Sequence, residues 1–125
     1  MAGLDGGFII GVMWAKGHPK VVIVKNEDLA IGYRVTPTIT LRGHPELLEL
    51  MERLLRQHEI HSTISTAGLM ILKKDSILKM ADLMISDTII QLPKWNQFFE
   101  VLELYELGEH LTPSGFEEIV DILGV

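Results

Sequence analysis

The chain has 125 residues, of which 47% are hydrophobic, and a net charge of −6; this fits one compact domain better than two domains or a disordered segment. It contains no cysteine, so disulfides, thiolate metal sites and cysteine nucleophiles are excluded, and any metal must bind oxygen or imidazole ligands. We therefore expect a single domain over residues 1–125. Because we find no leader pattern and no apolar run of about 18 residues, we also expect the protein to be cytoplasmic and to have no membrane partner.

The charges are unevenly distributed along the chain. Up to Asp82 there are 10 basic and 9 acidic residues, whereas from Leu83 onward there is one lysine and 8 acids. Since affinity for the phosphate backbone comes from lysine and arginine, the overall balance argues against a strong nucleic-acid binder. The acidic helices at the C-terminus are then expected to lie away from any bound DNA, and binding should be weak and sensitive to salt.

The first apolar stretch, residues 8–14, is predicted to be a strand. Alternate residues would face the core, namely Phe8, Ile10, Val12 and Trp14. The outward positions would then be Gly7, Ile9, Gly11 and Met13. Gly17-His18-Pro19 would form a turn, and residues 21–24 a second short apolar run.

Residues 33–42 alternate strictly between apolar and polar side chains, which predicts a half-buried strand. Pro37 indicates an edge position or a bulge, because it cannot donate to a strand ladder. A helix is predicted from Pro45, a hairpin around Ala67-Gly68, and a helix near Asp75. Two more helices follow, one from Pro93 to a stop at Gly108 and one with Thr112 as its N-cap. The fold class is therefore α+β: a four-stranded antiparallel or mixed sheet backed by helices, in the order αββαββα.

Four segments resemble one known family in the expected order. Met1-Ala2-Gly3-Leu4, followed by Asp5-Gly6, is similar to a shortened LAGLIDADG motif, and Tyr33 to Leu41 resembles the strand before that family's second helix. Residues 71–78 resemble its last strand and third helix, and residues 108–117 a segment near the end of many archaeal and intein-embedded members. The chain is identified as similar to single-motif LAGLIDADG homing endonucleases.

This resemblance implies a site and an activity. In the family, the motif helix packs against its partner's copy, ends in an acid followed by glycine, and runs straight into a strand, so that the acid meets the metal at the DNA. The resemblance assigns the catalytic and metal-binding role to Asp5 and places the backbone of Gly6 near the metal. The implied protein is a homodimer that cleaves nearly palindromic double-stranded DNA with Mg²⁺. An ordinary helix-to-strand turn explains Asp5-Gly6 equally well.

Two further predictions concern contacts to DNA. Lys94 is the candidate basic residue near the scissile phosphate, although a lysine at a helix start is often solvated surface. The candidate DNA-reading residues are polar side chains on two strands: Arg34, Thr36, Thr38, Thr40, Arg42, His61 and Thr63. Met70 and Leu72 are expected on the same face. With an apolar first strand beside them, this face also fits an inactive relic that acts as a protein-interaction or non-cleaving DNA-binding module.

Overall fold

The computed structural model describes residues 3–86 and 92–124, with only the backbone described for residues 3–5 and 86. The elements in chain order are α1 (Gly3–Lys16), β1 (Gly17–Lys25), β2 (Tyr33–Leu41), α2 (Pro45–Gln57), β3 (Thr63–Ser65), β4 (Gly68–Ile71), α3 (Lys74–Ser86), α4 (Pro93–Glu106), a 3₁₀ turn (Glu109–Leu111) and α5 (Pro113–Leu123).

The four strands form one antiparallel sheet in the order β1-β2-β4-β3, backed by helices. The predicted α+β class is confirmed. Strand β4 pairs with β2 on one side, where Thr40 lies opposite Met70, and with β3 on the other, where Thr63 lies opposite Met70. The predicted hairpin around Ala67-Gly68 joins β3 to β4.

The prediction of a strand over residues 8–14 is wrong, because these residues lie inside α1. The buried side chains there are Ile9, Ile10, Met13 and Trp14, which follow helical rather than alternating spacing. Ile9 and Met13, which were expected to point outward from a sheet, have no exposed surface. Strand β1 instead begins at Gly17. It includes both the residues predicted to form a turn, 17–19, and the short apolar run, 21–24.

The chain divides into two compact units, and it passes between them within β1 and again within β2. The first unit comprises residues 1–20 and 38–90. In it, α1 contacts both α2 and α3, and the core is formed by fully buried side chains such as Met13, Met51, Leu55, Ile71 and Met80. The single domain expected over residues 1–125 stays a prediction.

The second unit comprises residues 21–37 and 91–125. Its core is built on Val35, Val101 and Ile119, with α4 packed against α5. The predicted start of α5 is confirmed, since the Thr112 hydroxyl oxygen accepts a hydrogen bond from the Gly115 N–H at 3.1 Å. This cap satisfies one of the backbone donors left open at the first turn of α5.

Candidate nucleic-acid interface

The alternation predicted for β2 is present. Val35, Pro37, Ile39 and Leu41 are buried, whereas Arg34, Thr36, Thr38 and Thr40 are exposed or half-buried. Arg42 follows directly after the strand and is exposed. Since alternate residues of a strand point to opposite faces, the predicted polar residues of β2 share the face away from the core.

The register carries this polar face across the sheet in the first unit. Thr40, Met70 and Thr63 lie in one row across β2, β4 and β3. His61 precedes β3 and is exposed, and its backbone N–H donates to Ser76 Oγ of α3 at 2.8 Å. The pairing therefore places Thr63 on the same face of the sheet as Thr40, with Met70 of β4 between them.

Strand β1 adds two basic side chains that the sequence prediction missed. His18 and Lys20 are exposed at alternate positions of β1, and Thr38 Oγ1 donates to the Lys20 carbonyl oxygen at 3.4 Å, which ties β1 to β2. The sequence prediction omits them because it places the first strand at residues 8–14. The apolar run at residues 21–24 marks this strand in the sequence. A strand that includes the run and begins at Gly17 has His18 and Lys20 at alternate positions.

No acidic residue lies within any of the four strands, although the chain has 17 of them. The polar side chains of the strands are hydroxyl, imidazole, ammonium and guanidinium groups. Such side chains offer donors to phosphate oxygens and to base edges. We call this outer surface the polar sheet face and define its first-unit part by the following residues: His18, Lys20, Thr38, Thr40, Arg42, His61, Thr63 and Met70.

The junction of α1 with β1 carries Lys16 and Gly17, with no residue between the helix and the strand. Lys16 is exposed. Asp5 was expected at this junction, and that placement is wrong: its backbone lies in the first turn of α1, about three turns or ~16 Å before Lys16. The side chain of Asp5 lies outside the described residues, and Gly6 is a buried helical residue. The last residue of the helix before this junction is therefore a lysine and not an acid.

Lys94 is the second residue of α4 and is exposed. Its role near a scissile phosphate stays a prediction. Among the side chains that the structure describes, no group of three or more histidines, aspartates and glutamates is placed to hold a metal ion. Within the same part of the chain, no helix is long and apolar enough to cross a membrane.

Comparison with solved structures establishes the fold. The homing endonuclease I-TnaI superposes with a TM-score of 0.81 at 22% sequence identity, over 95% of this chain and 85% of that one. The chain has the LAGLIDADG homing endonuclease fold. The LAGLIDADG homing endonuclease I-SmaMI bound to cleaved DNA gives a TM-score of 0.79 at 24% identity over 95% of this chain, and the LAGLIDADG meganuclease I-CpaMI bound to uncleaved DNA gives 0.77 at 19% over 94%.

The LAGLIDADG resemblance seen in the sequence is thereby confirmed at the level of the fold. This chain covers only 42% of the I-SmaMI chain and 43% of the I-CpaMI chain, so it spans less than half the length of either. No protein-family model and no curated protein matches the sequence.

Proposed function

We propose that this chain binds double-stranded DNA through its polar sheet face and does not cleave it. The absence of cleavage is proposed because Lys16 and Gly17 occupy the junction of α1 and β1. Divalent cations such as Mg²⁺ bind oxygen ligands, whereas a lysine ammonium has no acceptor and repels a cation. The residues at the junction therefore do not fit the metal that the fold family implies.

The DNA-binding half rests on the composition of the polar sheet face. Its strands carry no acid, and Lys20 and Arg42 are exposed beside a row of threonines. Lys16 adds a further exposed cation where the helix meets the sheet. I-SmaMI and I-CpaMI, which share the fold, are described as bound to DNA. Cations of this kind supply affinity for phosphates, and the hydroxyls reach base edges.

We further propose that two copies pair through α1. On this helix Gly7, Gly11 and Ala15 are exposed at intervals of four residues, so they share one face. Among the described residues, a Cβ atom built on Gly7 or Gly11 meets nothing within 4 Å, and Phe8 beside them is 39% exposed. A bare face of small residues allows a second helix to approach closely.

The binding test is a titration of labelled duplex DNA at low salt, with EDTA in place of Mg²⁺. The variant Lys20→Glu with Arg42→Glu should weaken binding by at least about tenfold and lower the slope of log affinity against log salt by about two. The matched control is Arg53→Glu with Arg56→Glu, which makes the same charge change at exposed positions of α2. An equal loss in both variants would show that only net charge matters and would remove the polar sheet face from the proposal.

The cleavage test uses the same duplexes with Mg²⁺ or Mn²⁺. We expect the DNA to remain intact. The alternative function is Mg²⁺-dependent cleavage by a homodimer through Asp5. It predicts cutting that disappears in Asp5→Asn, because the amide removes the charge that holds the cation. That pair of results would contradict a non-cleaving protein.

A further inference from the structure

The centre of the polar sheet face is apolar. Met70 lies on the middle strand of the three that are paired in register, between Thr40 on β2 and Thr63 on β3. Its neighbour Ile71 is fully buried, so Met70 points to the opposite side, where it is partly exposed. Leu72 follows the end of β4 and is 49% exposed.

The position of Met70 is fixed by its surroundings. Strand β4 is hydrogen-bonded on both edges, and Ser65 Oγ donates to the Met70 sulfur at 3.9 Å. At the start of β4, Gly68 has a φ of +118°, and a Cβ there would lie 2.5 Å from the Leu41 carbonyl oxygen. The hairpin is thus held close against β2, and Met70 is presented from an ordered strand.

The side chains that pair best with adenine and with cytosine are missing from β2, β3 and β4. Asparagine and glutamine pair with adenine, and aspartate and glutamate accept from cytosine. None of these four residue types occurs in β2, β3 or β4. What the centre of the sheet offers is a thioether, an isobutyl group and threonine side chains.

Among the groups that base pairs display in the major groove, only the C5 methyl of thymine is apolar. Strands are about 4.8 Å apart, so the row from Thr40 to Thr63 spans ~10 Å and matches a major groove of about 12 Å. We propose that Met70 and Leu72 contact thymine methyl groups, so that the protein selects duplexes by the methyl groups in their major groove. This inference rests on the proposed binding of DNA through the polar sheet face.

The test compares duplexes of identical sequence that differ only in methyl groups. In one pair every thymine is replaced by deoxyuridine, and in the other every cytosine of a G·C-rich duplex is replaced by 5-methylcytosine, which places a methyl at the equivalent ring position. Wild-type protein should bind the uracil duplex about fourfold more weakly for each methyl group that becomes buried. It should bind the methylated cytosine duplex more tightly than the unmethylated one.

The variant Met70→Gln with Leu72→Gln should lose both differences. Ile85→Gln is the control, because Ile85 on α3 is an apolar residue about as exposed (52%) as Leu72 (49%), and it should retain them. Equal binding of wild-type protein to the methylated and unmethylated duplexes would overturn the inference while leaving the proposed function intact.

Absence of binding to every duplex would overturn both proposals. A third result would also remove the inference: if the glutamine variant retains discrimination but loses self-association, Met70 and Leu72 contact protein rather than DNA. Because the comparison of duplexes needs only the wild-type chain, the inference remains testable even if the variant does not fold.

Discussion

At the scale of single residues, two glycines have opposite roles. A Cβ on Gly115 would clash with the Glu109 carbonyl oxygen, whereas a Cβ on Gly7 meets no described atom within 4 Å. We expect Gly115→Ala to lower the free energy of unfolding by about 2 kcal/mol or more, because backbone must move. Gly7→Ala should raise it by about 0.5–1 kcal/mol, since alanine loses less entropy in a helix.

Urea unfolding followed by circular dichroism measures both changes. The two substitutions add the same methyl group, so each serves as the control for the other. A Gly115→Ala protein as stable as the wild type would mean that the turn between α4 and α5 is looser than its backbone positions indicate.

Two serines near β3 also differ in their hydrogen bonds. Ser62 Oγ is buried and has no hydrogen-bond partner among the residues that the structure describes, whereas Ser76 Oγ accepts from the His61 backbone N–H at 2.8 Å. Removing an unsatisfied buried hydroxyl should leave stability unchanged or raise it, so Ser62→Ala is expected to be neutral to stabilising. Ser76→Ala should cost about 1 kcal/mol. Thermal melts of the two variants side by side check this, and a larger loss for Ser62→Ala would reverse the assignment.

At the scale of elements, the cap of α5 has a measurable effect. Thr112 Oγ1 accepts from the Gly115 N–H and donates to the Glu109 carbonyl oxygen at 2.9 Å. Thr112→Ala should therefore reduce stability by about 1 kcal/mol. Ser114→Ala, at an exposed position of the same helix, should have little effect. Equal effects of the two changes in denaturant unfolding would count against the cap.

Most elements could be predicted from the sequence because each carries a local signal. Pro45, Pro93 and Pro113 each begin a helix, where proline loses no hydrogen bond. The alternation in β2 locates one strand and its polar side. The register that places Thr40 opposite Met70 could not be predicted, since β2 and β4 are distant in sequence.

Helix α1 could not be read from its pattern for a physical reason. Apolar residues and glycines occur on every side of the helix. Ile10 and Trp14 belong both to the buried helical face and to the alternating set expected of a strand. Glycine also disfavours helix by intrinsic propensity. Burial against α2 and α3 decides in favour of the helix, and that decision moves the helix-to-strand junction from Asp5 to Lys16.

At the scale of the whole molecule, pairing through α1 makes a prediction about assembly. In the proposed pair, the two copies of α1 approach closely at Gly7 and Gly11, where there is no side chain. A long charged side chain does not fit between them, so Gly11→Arg should convert a dimer into a monomer. Gln97→Arg makes the same addition at an exposed position of α4 and should leave assembly unchanged. Light scattering over a concentration series distinguishes these outcomes, and a dimer that survives Gly11→Arg must use another surface.

The charge distribution sets the expected strength of DNA binding. The chain carries −6 overall, yet no acid lies in a strand. At 0.1 M salt the Debye length is about 10 Å, so acidic residues farther than this from bound DNA are largely screened, whereas cations in contact with phosphates are not. Binding to unrelated duplexes at physiological salt should therefore be weak, and selectivity must come from the sheet.

Selection from a library of random duplexes in the presence of Mg²⁺, followed by sequencing of the retained and the cut DNA, tests the central claim most directly. A DNA-binding protein with Lys16 at its helix-to-strand junction should enrich a defined set of duplexes over successive rounds, recover them at full length, and lose this enrichment in the Lys20→Glu, Arg42→Glu variant. Failure to enrich any duplex, or recovery of the selected sequences as metal-dependent cut ends, would contradict it.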